Sequence, residues 1–239
     1  LKRKVDFNTY DISVKELISM VSENIIDIAP EYQRQFRWKG DRQSQLIESI
    51  FLGIPIPSLF MATNLDGTWE LIDGVQRLSS IIHFAGTQEA QAKIHLDSKL
   101  KLDGLNKLTT FNQKYFSDLP KSVQLEFQLK PLKITTLSDK SDMDVRFDLF
   151  ERLNTGGIVL TNQEIRSCVY RGKFNDFIKE LATDENFHHC VRLTANQESD
   201  GTRDEFVLRF FAFLNNYKKF DHSVVEFLNN YMNDATKHF

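Results

Sequence analysis

The sequence predicts an α+β fold: a small mixed sheet with helices, followed by an all-helical C-terminal part. Up to about residue 140, short apolar runs bounded by turn residues alternate with segments of helical periodicity. From Met143 onward, the apolar spacing is helical to the end of the chain. We therefore predict an α+β domain over residues 1–140 and a helical subdomain over residues 141–239 that packs on it.

Capping, proline and turn signals delimit the elements of the first domain. The Ser-Val-Lys-Glu sequence at residues 13–16 is a capping box, and Asp41 is predicted to cap a second helix. Two prolines in residues 53–57 end that helix, and Asn-Leu-Asp-Gly at residues 64–67 predicts a hairpin turn. Gly86 suits the end of a third helix. The predicted elements are helices at 13–23, 41–51, 76–86 and from 120, and strands at 25–28, 58–63, 68–72 and 131–137.

Two further regions give weaker or purely periodic signals. Residues 87–117 contain short apolar pieces and scattered lysines, and we expect one or two small inserted hairpins there. In the second domain, a capping box at residues 161–164 opens one of several helices. The aromatic stripe of that domain has helical spacing and is predicted to belong to the core; it consists of Phe206, Phe210, Phe213 and Tyr217.

Composition excludes several classes of protein. The net charge of −3 does not indicate a non-specific polyanion binder, so any contact with nucleic acid needs a local basic face. The two cysteines, Cys168 and Cys190, form no metal-binding or disulfide pattern, which favours a reduced, cytoplasmic setting. No apolar run is long enough for a bilayer, so we expect no membrane partner. We also predict no metal site at His188–Cys190, because adjacent residues do not point the same way.

The most informative stretch runs from Trp69 to Arg77. It predicts a strand, a tight Asp73-Gly74 turn and a helix whose first turn carries polar side chains. Such a junction presents unsatisfied backbone N–H groups at a positive dipole end, and Arg77 adds a fork that matches phosphate geometry. The alternative is an ordinary turn in which Asp73 caps the helix and Arg77 is solvated.

Two other groups of residues suit the same chemistry. Arginines interleaved with glutamine and aromatics, namely Gln33, Arg34, Arg37 and Trp38, can bind phosphate and stack on a base. The alternative for that group is a structural ion pair beside a core tryptophan. The helix end and glycine loop at residues 151–157 can also cradle phosphate, although two helices turning a corner give the same pattern. Neither a Walker phosphate loop nor a His-Asn-His nuclease motif occurs in the sequence.

Taken in order, these motifs resemble the N-terminal domain family of GmrSD-type, modification-dependent restriction enzymes. The ordered set covers roughly residues 10–215 and consists of Tyr-Gln-Arg at 32–34, Gly-Ile-Pro-Ile-Pro at 53–57, Asp-Gly-Val-Gln-Arg at 73–77, Asn-Thr-Gly-Gly at 154–157 and Arg-Asp-Glu at 203–205. The resemblance implies a ParB/sulfiredoxin-like core, nucleoside triphosphate binding and hydrolysis, and defence against phage DNA. Many members of that family also carry a separate C-terminal His-Asn-His nuclease domain, a motif that does not occur in these residues.

The resemblance assigns roles to individual residues. Asp73, Gln76 and Arg77 become the expected catalytic residues, with a nucleoside triphosphate and Mg²⁺ as ligands. The expected nucleotide-binding residues are Gln33, Arg34, Arg37, Gly74, Arg152, Asn154, Thr155 and Gly156. Val75 departs from the family, where many members have a second glutamine. A valine also excludes sulfiredoxin chemistry, which needs a nucleophilic cysteine at this turn.

Three functions remain open at this point. The first is a nucleotide-binding regulatory domain of a phage-defence system, with or without hydrolysis. The second is a ParB-like module that binds or cleaves DNA, directly or through a nuclease domain or subunit, with a salt-dependent affinity. The third is a non-catalytic scaffold for a partner. The sequence makes no prediction of oligomeric state.

Overall fold

A five-stranded mixed sheet organises the N-terminal part of the chain. The computed structural model describes residues 6–28, 38–64, 66–138, 143–153, 160–195, 197–198 and 200–239. Its residues divide into two compact units, Leu1–Ser141 and Asp142–Phe239. The strands of the first unit are β1 (Phe7–Ser13), β2 (Ile26–Asp27), β3 (Leu59–Thr63), β4 (Trp69–Asp73) and β5 (Pro131–Leu137).

The strand order is β1-β5-β3-β4-β2. β3 and β4 form the antiparallel hairpin that the turn sequence predicts, while β3 pairs with β5 in parallel. β1 lies at one edge, antiparallel to β5, and has no counterpart among the sequence predictions. Its first five residues are exposed, so the strand lacks the half-buried alternation that marks a strand in sequence.

Five helices accompany this sheet in the described part of the first unit. They are α1 (Val14–Ser22), α2 (Gly40–Phe51), α3 (Val75–Ala85), α4 (Gln88–Lys93) and α5 (Lys121–Leu129). Ser13 caps α1 by accepting the Glu16 N–H, as the sequence predicts. The predicted cap by Asp41 is wrong: α2 begins at Gly40, and Asp41 lies in its first turn, where its charge suits the helix dipole.

The predicted inserted hairpins at residues 87–117 are also wrong. Thr87 accepts the Ala90 N–H and opens α4, and two 3-10 turns, Thr109–Phe111 and Phe116–Asp118, follow. Their phenylalanines pack with Phe51 and Phe84, with ring centroids 5.3 Å apart in both pairs Phe51–Phe111 and Phe84–Phe116. The apolar pieces of this region therefore serve a shared aromatic core instead of a ladder of strands.

A buried carboxylate holds the loop before the first 3-10 turn. Glu48 of α2 accepts the N–H groups of Lys107 and Leu108 at 2.7 and 2.8 Å, and that of Asn106 at 3.4 Å. Burial by itself raises the pKa of Glu48, but these backbone donors outweigh burial and the net pKa is lowered from 4.5. The Glu48 carboxylate thus accepts backbone N–H groups that the carbonyl groups of a neighbouring strand would accept in a hairpin.

The second unit is helical within the described residues. Its helices are α6 (Met143–Leu153), α7 (Asn162–Val169), α8 (Lys173–Ala182), α9 (Glu185–Cys190), α10 (Thr202–Asn216) and α11 (Val224–His238). The predicted capping box is present: Thr161 accepts the Glu164 N–H, and the Glu164 carboxylate accepts the Thr161 N–H. In neither unit is a described helix long and apolar enough to cross a membrane.

The predicted burial of the aromatic stripe on α10 is wrong. Phe206, Phe210 and Tyr217 are 41%, 61% and 61% exposed, and Phe213 is 37% exposed. The buried side of α10 instead carries Arg203, Val207, Leu208 and Ala212. Because α10 is apolar on more than one side, its spacing alone does not tell which side packs.

A buried arginine joins three helices of the second unit. Arg166 of α7 is 1% exposed and donates to Gln163 at 2.9 Å, to Asn229 of α11 at 3.2 Å, and to Glu205 of α10. Burial lowers the pKa of its guanidinium to about 10, against the opposing attraction of Glu205. The charge is therefore retained at neutral pH and depends on its partner.

The Glu48 contacts predict a pH-dependent stability. Glu48→Gln should lower the free energy of unfolding at pH 7 by about 1–3 kcal/mol, since an amide oxygen is a weaker acceptor than a carboxylate. The folded pKa lies below 4.5, so this contribution is present above that value and is lost as the pH falls through the folded pKa. Urea unfolding at several pH values measures it. Glu126→Gln, at an exposed ion pair with Lys130, is the matched control and should change little.

Removing the partner of Arg166 should be more costly. Glu205→Gln leaves a buried cation without its counter-charge and should destabilise the protein by roughly 3 kcal/mol. Chemical denaturation monitored by circular dichroism measures the loss, with Glu151→Gln on the exposed side of α6 as the control. Equal stability of the two variants would contradict the structural role given to the Arg166–Glu205 pair.

Candidate functional site

The turn between β4 and α3 is built on a glycine in a conformation that disfavours any other residue. Gly74 adopts φ 107° and ψ 15°, a left-handed conformation, and α3 begins at the next residue. A Cβ at this position would overlap the Leu59 side chain. The adjoining β3–β4 register shifts between Phe60 and Met61, so a bulge lies beside the turn. The conformation of this turn is therefore fixed by steric constraints at Gly74 and by the neighbouring bulge, in addition to any side-chain hydrogen bond.

Arg77 ties the end of β4 to the segment that leads into β3. Its Nη2 donates to Asp73 Oδ2 at 2.6 Å, and its Nη1 donates to the carbonyl oxygens of Ser58 (3.0 Å) and Pro57. The Arg77 side chain is 12% exposed and that of Asp73 is 32% exposed. The alternative of an Asp73 cap with a solvated Arg77 is wrong on both counts, because no side chain caps α3 and Arg77 is bonded.

Gln76 holds the segment that precedes α2 in the chain. Its Oε1 accepts the backbone N–H of Trp38 at 3.1 Å, two residues before α2 begins. Neighbouring residues of α3 therefore fix both connections of α2: Gln76 the one that precedes it and Arg77 the one that follows. The Asp-Gly-Val-Gln-Arg sequence is thus a structural junction of the first unit, whatever else it does.

The start of α3 also carries backbone N–H groups that suit an anion. The first intrahelical bond of α3 runs from Leu78 N–H to Gly74 O, so the N–H groups of Val75 and Arg77 precede the helix ladder and lie at its positive end. Asp73 uses Oδ2 for Arg77, and its side chain remains one-third exposed. The turn therefore combines anion-binding donors with a carboxylate oxygen that suits Mg²⁺.

The other predicted binding residues lie either in the second unit or outside the described residues. Arg152 is exposed near the end of α6, in the second unit. The remaining six lie outside the described residues, namely Gln33, Arg34, Arg37, Asn154, Thr155 and Gly156. Among the residues that are described, no group of three or more His, Cys, Asp or Glu side chains could hold a metal ion.

Sequence reasoning missed the contacts of two side chains between α2 and α3. Gln43 of α2 donates to the Trp38 carbonyl at 2.7 Å, and its own Oε1 lies 2.8 Å from His83 Nδ1. The sequence offers one weak signal, because His83 follows Gln76 by seven residues and thus lies on the same face of α3. Burial lowers the pKa of His83, with the Ser98 backbone acting in the opposite direction.

The steric role of Gly74 predicts a specific pattern of destabilisation. Gly74→Ala should lose about 1–3 kcal/mol through backbone strain, with a further loss from overlap with Leu59. Gly67→Ala is the matched control, because Gly67 has φ 85° but a methyl added there would meet no atom within 4 Å. Thermal unfolding of both variants separates strain from overlap. In a Leu59→Val background the excess loss at Gly74 should shrink, and an unchanged excess would contradict the overlap.

Comparison with known proteins places the turn inside a region that matches a protein family. A family model described as the GmrSD restriction endonuclease, N-terminal domain, matches residues 14–171. Among solved structures, the chain is similar to a Pnob8-like ParB-N domain at 12% identity and a TM-score of 0.30, over 98% of this chain and 81% of that one. That score is too low to carry an argument, and no curated protein matches the chain.

The fold and the family match together settle the class of this module. The α+β fold with a small mixed sheet and a helical C-terminal part is as the sequence predicts. The family model covers the turn and most of the chain, which confirms the resemblance carried by the ordered motifs. The chain is a restriction-system module and belongs to the family of GmrSD restriction endonuclease N-terminal domains.

Proposed function

We propose that this domain binds a nucleoside triphosphate with Mg²⁺ at the Asp73–Arg77 turn and acts as a nucleotide-responsive regulatory domain of a restriction system. The observation that carries the proposal is the rigid placement of Asp73, Gly74 and Arg77 at the start of α3, inside the region matched by the family. A binding turn held in place before its ligand arrives loses little conformational entropy on binding.

Phosphate oxygens suit the donors at this turn. The first-turn N–H groups of α3 lie at the positive end of an eleven-residue helix. Arg77 uses three of its five N–H groups on Asp73, Ser58 and Pro57, which leaves two donors not bonded within the described residues. Its partly buried side chain places these donors close to the turn.

The net charge of the Asp73–Arg77 pair indicates that binding a triphosphate at the turn needs further cations. The ion pair with Asp73 cancels the charge of Arg77, so the pair alone attracts a triphosphate weakly. Further cations are required, and Arg34 and Arg37 are the ones that the sequence offers next to Trp38. With Gln33 they complete the phosphate-binding set that we propose for the first unit. The proposed roles of Arg152, Asn154, Thr155 and Gly156 rest on sequence alone.

Asp73 is the proposed Mg²⁺ ligand. Its Oδ2 orients Arg77, and its other oxygen can take the hard cation that accompanies a triphosphate. Where the nucleotide is hydrolysed, the same oxygen can position water, with Gln76 nearby as a polar neighbour. The family name describes restriction endonucleases, and we propose that DNA reaches this domain directly or through a nuclease domain or subunit.

Calorimetric titration tests the proposal with ATP, GTP, CTP and UTP, each with and without Mg²⁺. The wild-type protein should bind at least one of them, and saturation at 100 times the dissociation constant should stabilise the fold by about 2.7 kcal/mol. Arg34→Ala should weaken binding by about tenfold or more, the value of one charged hydrogen bond. Released phosphate, measured in the same samples, reports hydrolysis.

The substitution Asp73→Asn tests the proposed role of Asp73 as the Mg²⁺ ligand. The asparagine oxygen still accepts from Arg77 but no longer neutralises its charge, so the variant should lose some thermal stability and stay folded, while Mg²⁺ no longer strengthens nucleotide binding. Asp97→Asn, at an exposed loop position, removes the same charge and should bind as wild type does. Failure of all four nucleotides to bind the wild-type protein would contradict the proposal. Salt-dependent binding of DNA in that case would favour the DNA-binding alternative.

A further inference from the structure

Helix α10 of the second unit carries a stripe of large apolar side chains that remain accessible to solvent. The stripe consists of Phe206, Phe210, Phe213, Leu214 and Tyr217. With 3.6 residues per turn these positions fall within an arc of about 100°, and no charged residue between 206 and 217 shares that arc. Apolar residues at this spacing are typical of a helix face that packs on another element. The spacing therefore indicates a packing face on α10.

A different side of α10 already packs within the second unit. Val207, Leu208 and Ala212 are buried there, and the Phe211 ring lies 5.7 Å from the ring of Phe177 on α8, measured between centroids. The core of this unit thus has its own contacts with α10, while the residues of the stripe stay 37–63% exposed. The stripe is a second apolar face in addition to the buried one.

The size of the stripe fits an interface between two protein chains. A large side chain offers about 150–250 Å², so the exposed parts of these five side chains amount to about 500 Å². That area is near the upper end of the apolar patches found on monomers, which reach about 600 Å². Two such faces together would bury about 1,000 Å², the lower limit for a specific interface. A second copy of the chain supplies a face of matching size and composition.

The charges at the two ends of the stripe favour a second copy in antiparallel orientation. Asp204 and Glu205 lie in the first turn of α10, whereas Lys218 and Lys219 lie in the 3-10 turn that follows its last residue. Antiparallel pairing brings the acidic end of each helix to the basic end of the other. Parallel pairing would bring like charges together, which is unfavourable. Charge complementarity thus indicates both the partner and its direction.

We infer that α10 is a self-association surface, on which two copies of this chain pair antiparallel about a two-fold axis between residues 211 and 212. The residues that face each other across the axis are Phe206 with Tyr217, Phe210 with Phe213, and Asp204 with Lys219. Rigid aromatic rings suit this role, because they lose little conformational entropy when a partner covers them. The surface lies outside residues 14–171, which the family model matches, and the inference does not depend on nucleotide binding.

Sedimentation equilibrium of the full chain, between about 1 and 200 μM, measures self-association. The wild-type protein should form a dimer with a micromolar dissociation constant, as suits an interface at the small end of the range. Leu214→Asp places a charge in the apolar interface twice per dimer and should raise that constant about 100-fold or more. Leu125→Asp is the matched control, because Leu125 is a similarly exposed leucine on α5, and it should leave the constant unchanged.

Two further variants separate apolar from charged contributions. Phe210→Asp should act as Leu214→Asp does, and circular dichroism should show a folded protein, because the Phe210 side chain is exposed in a single copy. Lys219→Glu sets a like charge opposite Asp204 and should weaken the dimer about fivefold or more at low ionic strength, with a smaller effect at high salt. Lys15→Glu, at an exposed position of α1, is its control.

Disulfide cross-linking tests the orientation of the pair. In a Cys190→Ser background, which removes the exposed cysteine, a mixture of Phe206→Cys and Tyr217→Cys chains should cross-link on oxidation with copper–phenanthroline. Phe206→Cys alone should not cross-link, because the two copies of residue 206 are separated by about 16 Å along the helix axis in this register.

Each result either supports or overturns the inference. A chain that stays monomeric over the whole concentration range overturns it. A dimer that Leu214→Asp and Leu125→Asp affect equally overturns it as well, because another surface would then hold the two copies together. Faster cross-linking of Phe206→Cys alone than of the mixture overturns the antiparallel arrangement and indicates a parallel pair.

Discussion

The fold of the first unit depends on the way Arg77 divides its guanidinium between a carboxylate and two backbone carbonyls. These acceptors lie on Asp73, at the end of β4, and on Pro57 and Ser58, which precede β3. Without that fork the two central strands would still pair, but the chain that leads into β3 would lose its fixed path. Since Gln76 anchors Trp38, two consecutive residues of α3 set both connections of α2.

This architecture limits what the same residues can contribute to binding. The Arg77 guanidinium neutralises Asp73 and donates to two carbonyl oxygens. It can therefore orient a phosphate but adds little net positive charge. A lysine would not replace it, because an ammonium on a flexible stem lacks the planar fork that reaches three acceptors at once. Under the proposed function, the attraction for the triphosphate must therefore come from the start of α3 and from cations elsewhere in the unit.

Local signals explain which elements the sequence predicts correctly. The β3–β4 hairpin and the start of α7 carry their turn and capping residues within a few positions, so their conformation is encoded locally. β1 and residues 87–117 lack such signals: β1 depends on pairing with β5, and the loop depends on Glu48, 58 to 60 residues away in the chain. The predicted burial of the aromatic stripe on α10 is wrong because periodicity does not tell which of two apolar faces of a helix is buried.

The candidate site shows the same division between local and distant information. The Asp-Gly-Val-Gln-Arg motif identifies the turn, yet three of the groups that Arg77 and Gln76 bond are backbone groups 19, 20 and 38 residues away. Backbone acceptors and donors have no residue type, so no spacing rule could have named them. A motif that binds ligand and a motif that holds loops look alike in sequence. Here Asp73, Gln76 and Arg77 account for the role of holding loops, and the ligand-binding role that we propose needs the donors that remain.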